Sequence, residues 1–258
     1  VVQPSSQGAM GNKPSTKMSE GKKIEKILIQ IAMEDEAKPF IEHLSLTKKE
    51  DFFPPQVPFL AFVGEHSGCH VTVVTHGKDK VYESGVDNCG TVPAALVAFL
   101  ALQASAVDLV INAGTCGGFK RKGAAIGDVF LTSAVANHDR RIPIPPFIPY
   151  GIGKVEAVAT PNLAKAHDFK VGICTTGNSL DKTEEDDKRM QENDATCKDM
   201  EAAAIAWSCK LFDVPYLGVK VVTDIVDGDR PTQEEFMENL STAAKSLQSA
   251  LPKVIDFV

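Results

Sequence analysis

"DLVINAGTCGGF", residues 108–119, decides how the rest of the chain is read. Leu109, Val110 and Ile111 form a continuous apolar run without alternation, the pattern of a strand covered on both faces. The run then enters three glycines, Gly114, Gly117 and Gly118, which read as a strand-to-loop junction. Glycine lets a backbone approach a ligand closely. The segment is not G-x-G-x-x-G, and a tight turn explains it equally well.

On either side, strand-like and helix-like segments alternate. Residues 91–104 form an apolar helix, and "GDVFLTSAVANHD" (127–139) reads as a long strand. Further out, "KILIQIAM" (26–33) is a buried strand followed by helical spacing over 34–44. "FLAFVGE" (59–65) and "HVTVVTH" (70–76) read as strands about a turn at Ser67-Gly68. "KVGICTTG" (170–177) is a strand, 200–212 a helix and 215–223 a strand. The last ~25 residues read as a helix that ends or breaks near Pro252. Strand, crossover, strand in this rhythm gives an α/β fold: a single-domain, three-layer αβα arrangement with a mixed, mostly parallel central sheet. No change of composition interrupts residues 24–258, so they read as one domain.

Totals set further bounds. The 258 residues are 43% hydrophobic and 24% charged, with net charge -7. That balance gives a sizeable core and argues against nucleic-acid or anionic-membrane partners, which need a basic face. No apolar run reaches the ~18 residues of a membrane span. The six cysteines form no C-x-x-C pair and none has metal-ligand spacing to a histidine, which points to a reducing, cytoplasmic setting without a metal site. Residues 1–23 have the composition of a disordered tail or a vector remnant. Within them, Met10 to Ser15 fits the M-G-x-x-x-[ST] acylation pattern, which acts only if the natural chain begins at Met10.

Ligands of such sheets bind beyond the carboxyl ends of the strands. Those ends read "AMEDE", "NAGTCGG", "TTGNSLD" and "VTDIVDGD". Glu34, Asp35 and Glu36 fit an acidic first helical turn. Asp199 and Glu201 precede an Ala-rich helix, where acids are ordinary. Asp224 fits an N-cap. Taken together, Glu36, Glu201 and Asp224 converge on one face of one sheet. Such a cluster suits glycosidic cleavage, in which one carboxylate activates water and another group protonates the departing base.

These residues also carry a resemblance. "AMEDEA", "INAGTCGGFKxKGAxIGDVF", "HDRRIPIP", "NDATxKDMEAAA" and "VTDIVDGDRPTxEEF" resemble the plant-type 5'-methylthioadenosine nucleosidases of the nucleoside phosphorylase superfamily, over residues 24–258. The resemblance implies that Glu36 activates water, that Asp224 protonates adenine at N7, and that Glu201 holds the ribose hydroxyls with Met200 packed on the sugar. It places Gly114, Thr115, Leu180 and Asp181 around the purine, with Lys198 and Asp199 adjoining. It implies no metal and no cofactor, a homodimer, and a role in methionine salvage, with S-adenosylhomocysteine a possible second substrate. Asn178 stands where the pattern usually has Asp, which implies altered purine binding at most. "HDRRIPIPPF" (138–147) reads as a stiff core cover or a dimer contact. A phosphorylase of the same fold needs arginines for phosphate; this chain has none before Arg121 and offers Lys78 and Lys80 in the early loops. A non-catalytic storage protein of the same fold is the third reading.

Overall fold

The computed structural model describes residues 23–258. The expectations for the tail and for the acylation pattern at Met10 lie outside the described residues. In chain order the strands are β1 Lys26–Ile31, β2 Thr47–Lys48, β3 Leu60–His66, β4 Cys69–Thr75, β5 Leu109–Gly118, β6 Val129–Asn137, β7 Val155–Glu156, β8 Lys170–Thr176, β9 Ala195–Asp199 and β10 Tyr216–Ile225. The helices are α1 Glu34–His43, α2 Thr91–Ala104, α3 Ile148–Ile152, α4 Pro161–His167, α5 Glu184–Glu192, α6 Ala202–Leu211 and α7 Thr232–Phe257.

All ten strands join one sheet with helices packed on it, as the alternating pattern predicts. The order runs β10-β6-β8-β9-β5-β1-β4-β3-β2, and a further pairing joins β10 to β5. That pairing closes β5, β10, β6, β8 and β9 into a ring, with β1 to β4 extending from it. Parallel and antiparallel strand pairings are equal in number among the described residues, but apart from the β3–β4 hairpin the antiparallel ladders are short, so most paired residues are in parallel register and the sheet is mixed and mostly parallel. The antiparallel share comes from the short edge strands, the β3–β4 hairpin and the two joints that close the ring. The hairpin turns on Ser67 and Gly68 at φ 49° and 79°, the positive angles of a two-residue turn that matches strand twist.

Three boundaries differ from the sequence reading, each for a packing reason. β5 does not end at Gly114 but continues to Gly118, because β10 pairs with it in parallel from Val110↔Tyr216 to Gly118↔Ile225. β10 likewise runs past Asp224, with a bulge between Val222 and Asp224. α7 passes through Pro252 without ending. An interior proline costs a helix ~3 kcal/mol. Leu247, Leu251, Val254 and Ile255, all buried around it, each contribute roughly 1.5–3 kcal/mol, so burial wins. Asp199 also differs: it closes β9, a strand the sequence reading missed along with α5, rather than opening a helix. Its carboxylate still caps α6, accepting the Ala202 N–H at 2.9 Å.

Candidate active site

A cavity of about 260 Å³ opens at the carboxyl ends of β1, β5, β9 and β10. Its walls include Glu36, Gly114, Thr115, Leu180, Lys198, Asp199, Met200, Glu201 and Asp224. Nine of the ten residues singled out from sequence therefore share one space. Asp181 does not; it lies exposed at the end of the 178–181 loop, outside the cavity wall. Gly117 of the glycine run lines it too, and sequence reasoning missed Cys89, Thr223, Phe236 and Lys220, which also do.

Glu36 stands in the first turn of α1 and is buried. Its Oε1 accepts two hydrogen bonds from Thr115, from the hydroxyl at 2.6 Å and from the N–H at 2.9 Å. Burial pushes its pKa above the ordinary glutamate value. The two Thr115 bonds and the charge of Lys220 oppose that rise. The carboxylate is thus fixed in direction and supplied with donors that favour its ionised form.

Asp224 is held from three sides. Thr223 donates its hydroxyl to Oδ1 at 2.8 Å. The flanking peptides are pinned by α7: Asn239 donates to the Thr223 carbonyl at 2.9 Å, and Glu235 accepts the Ile225 N–H at 2.8 Å. The N-cap of α7 is Pro231, so Asp224 does not cap that helix. Gly117 lies beneath its carboxyl group. A Cβ there would come within 2.7 Å of Asp224 Oδ2 and 2.5 Å of Val226 Cγ2. The glycine thus serves this close approach rather than a turn. Burial raises the Asp224 pKa, the Thr223 hydroxyl and Lys198 oppose it, and Glu235 adds to it. The Asp224 carboxyl thus accepts one side-chain hydrogen bond, where Glu36 accepts two bonds from Thr115.

Glu201 occupies the N-cap position of α6 but points away from the helix, and its Oε1 accepts the Gly90 N–H at 2.9 Å. Burial, and then the neighbouring Asp199, push its pKa up to about 7. Asp199 is fully engaged. It accepts the Thr176 hydroxyl at 2.6 Å, the Ala202 N–H at 2.9 Å and the Lys220 ammonium at 2.8 Å. Burial opposes its ionisation, but Lys220 and these donors hold its pKa below the ordinary value.

Lys198 donates to the carbonyls of Ser179 and Leu180 at 2.6 and 2.8 Å and so props the 178–181 loop. Burial lowers its pKa, and Asp224 and Asp199 resist the drop. Asn178 faces away from the cavity. Its Oδ1 accepts the Thr91 N–H and hydroxyl, both at 2.9 Å, and its own N–H donates to Asp139 at 2.6 Å. It fastens the loop to the start of α2. A buried His76, just past β4, ties down the segment that carries the cavity residue Cys89. Its Nδ1 donates to the Asn88 carbonyl at 2.7 Å while Nε2 meets the Gln30 amide at 2.9 Å. Burial lowers its pKa to about 4, so it is neutral near pH 7.

Comparison with known proteins agrees with this geometry. The model of the phosphorylase superfamily matches residues 26–256. A 5'-methylthioadenosine/S-adenosylhomocysteine nucleosidase of Arabidopsis thaliana is 46% identical over 240 residues, covering 93% of this chain and 94% of that protein. A 5'-methylthioadenosine nucleosidase of the same plant is 46% identical over 236 residues, covering 91% and 88%. The apo structure of an Arabidopsis thaliana 5'-methylthioadenosine nucleosidase superimposes with a TM-score of 0.89 at 45% identity, covering 92% of this chain and 96% of that one. With matches along nearly its whole length, the chain belongs to the phosphorylase superfamily, among the 5'-methylthioadenosine nucleosidases.

Proposed function

We propose that the protein hydrolyses the N-glycosidic bond of 5'-methylthioadenosine, giving adenine and 5-methylthioribose. The observation that carries this reading is the meeting of three buried carboxylates, Glu36, Glu201 and Asp224, in one cavity with three different sets of partners. Glu36 takes a proton from water as the water attacks the anomeric carbon. Asp224 gives a proton to N7, so that adenine leaves neutral rather than as an anion. Glu201 holds the ribose hydroxyls and favours the positive charge that develops on the ring. Each positioned acid or base contributes about 10²–10⁴-fold. Met200 and Phe236 supply apolar wall, and residues 114–117 with Leu180 flank the base. Asp181 has no place in this account.

Phosphorolysis lacks comparable support. The two lysines on the cavity wall are already committed, Lys198 to loop carbonyls and Lys220 to Asp199. Adenine release from 5'-methylthioadenosine in phosphate-free buffer tests the choice. Release at full rate without phosphate, yielding free methylthioribose, is expected. A strict need for phosphate would overturn the hydrolytic reading, and no release in either buffer would favour a binding or storage role. S-adenosylhomocysteine in the same assay reports how much 5' substituent the site admits.

The working unit in this reading is a cytoplasmic homodimer. Val92, Leu96 and Phe99 of α2 and Trp207 and Leu211 of α6 are exposed, as are Ile144, Phe147 and Tyr150 in and after the proline-rich segment. Val92, Leu96, Tyr150 and Trp207 line one surface groove, and exposed apolar side chains gathered in this way call for a cover, which a second copy supplies. Light scattering should give twice the 27.7 kDa chain mass, and Trp207→Glu should move it toward the single-chain value. Six free cysteines, five of them buried, fit a reducing compartment. Among the described residues, no helix is long and apolar enough to cross a membrane.

A further inference from the structure

Lys220 lies in the middle of β10 between the buried Val219 and Val221, with 1% of its surface exposed. A charged ammonium in that position needs a reason, because a buried ion pair commonly contributes less stability than apolar residues of the same volume. Two observations supply one. First, its Nζ lies 2.8 Å from Asp199 Oδ2, and Asp199 is itself held by Thr176 and by the Ala202 N–H, so the ammonium is anchored on a rigid base. Second, Lys220 reaches the cavity wall on which Glu36 and Glu201 also stand. The pair therefore does more than join β9 to β10; it sets a fixed positive charge behind two carboxylates.

We infer that Lys220 is a positioning residue for the proposed hydrolysis, and that its anchored ammonium favours the ionised forms of Glu36 and Glu201. Glu36 must be an anion to accept a proton from water, and Glu201 must be one to favour the ribosyl cation. The other titratable groups packed around Lys220 do not supply this charge. Cys116, Cys174 and Cys197 are neutral thiols, their pKa values raised chiefly by burial in Cys116 and Cys174 and by the contact with Cys116 in Cys197. His76 is neutral near pH 7. Cys89 is exposed on the cavity wall, yet desolvation by the wall and the charges of Glu201 and Glu36 push its thiol up to about 12. Asp199 carries negative charge and works against Glu201. Burial alone would lower the Lys220 pKa; Asp199 and Glu201 carry it above the ordinary lysine value, so the charge is permanent.

The inference rests on the hydrolytic reading, and its test separates the two. The pH profile of kcat/KM for 5'-methylthioadenosine is recorded for the wild type and for Lys220→Met, Lys220→Gln and Lys220→Arg, each checked for folding by circular dichroism. In the two neutral variants the acid limb should move up by at least about one pH unit, equivalent to a tenfold loss on that limb, with recovery at alkaline pH. Lys220→Arg, which keeps the charge, should retain the wild-type limb. A folded neutral variant whose limb stays in place, with a loss equal at every pH, overturns the inference. So does failure of both neutral variants to fold, since the charge would then serve the fold. A wild-type protein that releases no adenine defeats the hydrolytic reading itself, whatever the variants do.

Discussion

Asp224→Asn is expected to bind 5'-methylthioadenosine and fail to release adenine. The amide oxygen still accepts the Thr223 hydroxyl, and the pins from Glu235 and Asn239 act on the backbone, so the loop geometry survives. What disappears is a transferable proton at N7. Loss of a positioned acid lowers kcat by about 10²–10⁴-fold, with substrate affinity nearly unchanged. Stability at pH 7 should not fall. The Asp224 pKa is raised in the folded state, so the folded protein binds more protons than the unfolded chain above the ordinary aspartate value. Ionising it at higher pH costs stability, and the neutral amide removes that cost. Single-turnover adenine release with calorimetric binding checks the first part, and thermal melts at pH 7 check the second. Activity close to that of the wild type would remove Asp224 from its role.

Glu36→Gln carries an expectation of the same size by a different route. The glutamine oxygen can keep both Thr115 hydrogen bonds, but an amide accepts no proton from water. The fall in kcat should again be about 10²–10⁴-fold. A second signature distinguishes it from Asp224→Asn. Glu36 is one of the charges that raise the Glu201 pKa; without it, Glu201 should ionise at lower pH. Residual activity of Glu36→Gln should therefore hold to more acidic pH than that of the wild type. A rate profile from pH 5 to 8 reads this directly, and an unchanged kcat would show that water is activated elsewhere.

The acids of this site are legible in the sequence because each stands where an apolar run ends. Glu36 follows β1, Asp224 lies at the end of β10, and Glu201 sits between β9 and α6. The phrase "VTDIVDG" suggests that Asp224 closes its strand, but not that β10 runs on beside β5, since pairing between segments about a hundred residues apart leaves no local mark. The glycines of "TCGG" are legible as sites of close approach. What approaches Gly117, namely Asp224 and Val226, is set by the β5–β10 register. Lys220 is the clearest loss. A lysine between valines in an apolar run reads as a side chain that escapes to solvent, and only Asp199 makes an inward position tenable. β9, which carries Asp199, is itself a five-residue strand, "ATCKD", without an apolar run to announce it. Buried charge and short polar strands are specified by partners far along the chain, and a pattern read in windows does not contain them.

The main-chain floor of the site bears on how the protein can vary. Along β5 the Thr115 hydroxyl turns to Glu36, and the Cys116 thiol to Cys197. A Cβ on Gly117 meets Asp224 and Val226, and one on Gly118 comes within 2.7 Å of Ala124 Cβ. Side-chain replacement therefore has little purchase on this floor. Drift toward a new substrate, or escape from an inhibitor seated there, must come through the 178–181 loop, the 76–90 segment or Phe236. A molecule that takes most of its contacts from residues 114–118 leaves the protein few viable routes to resistance.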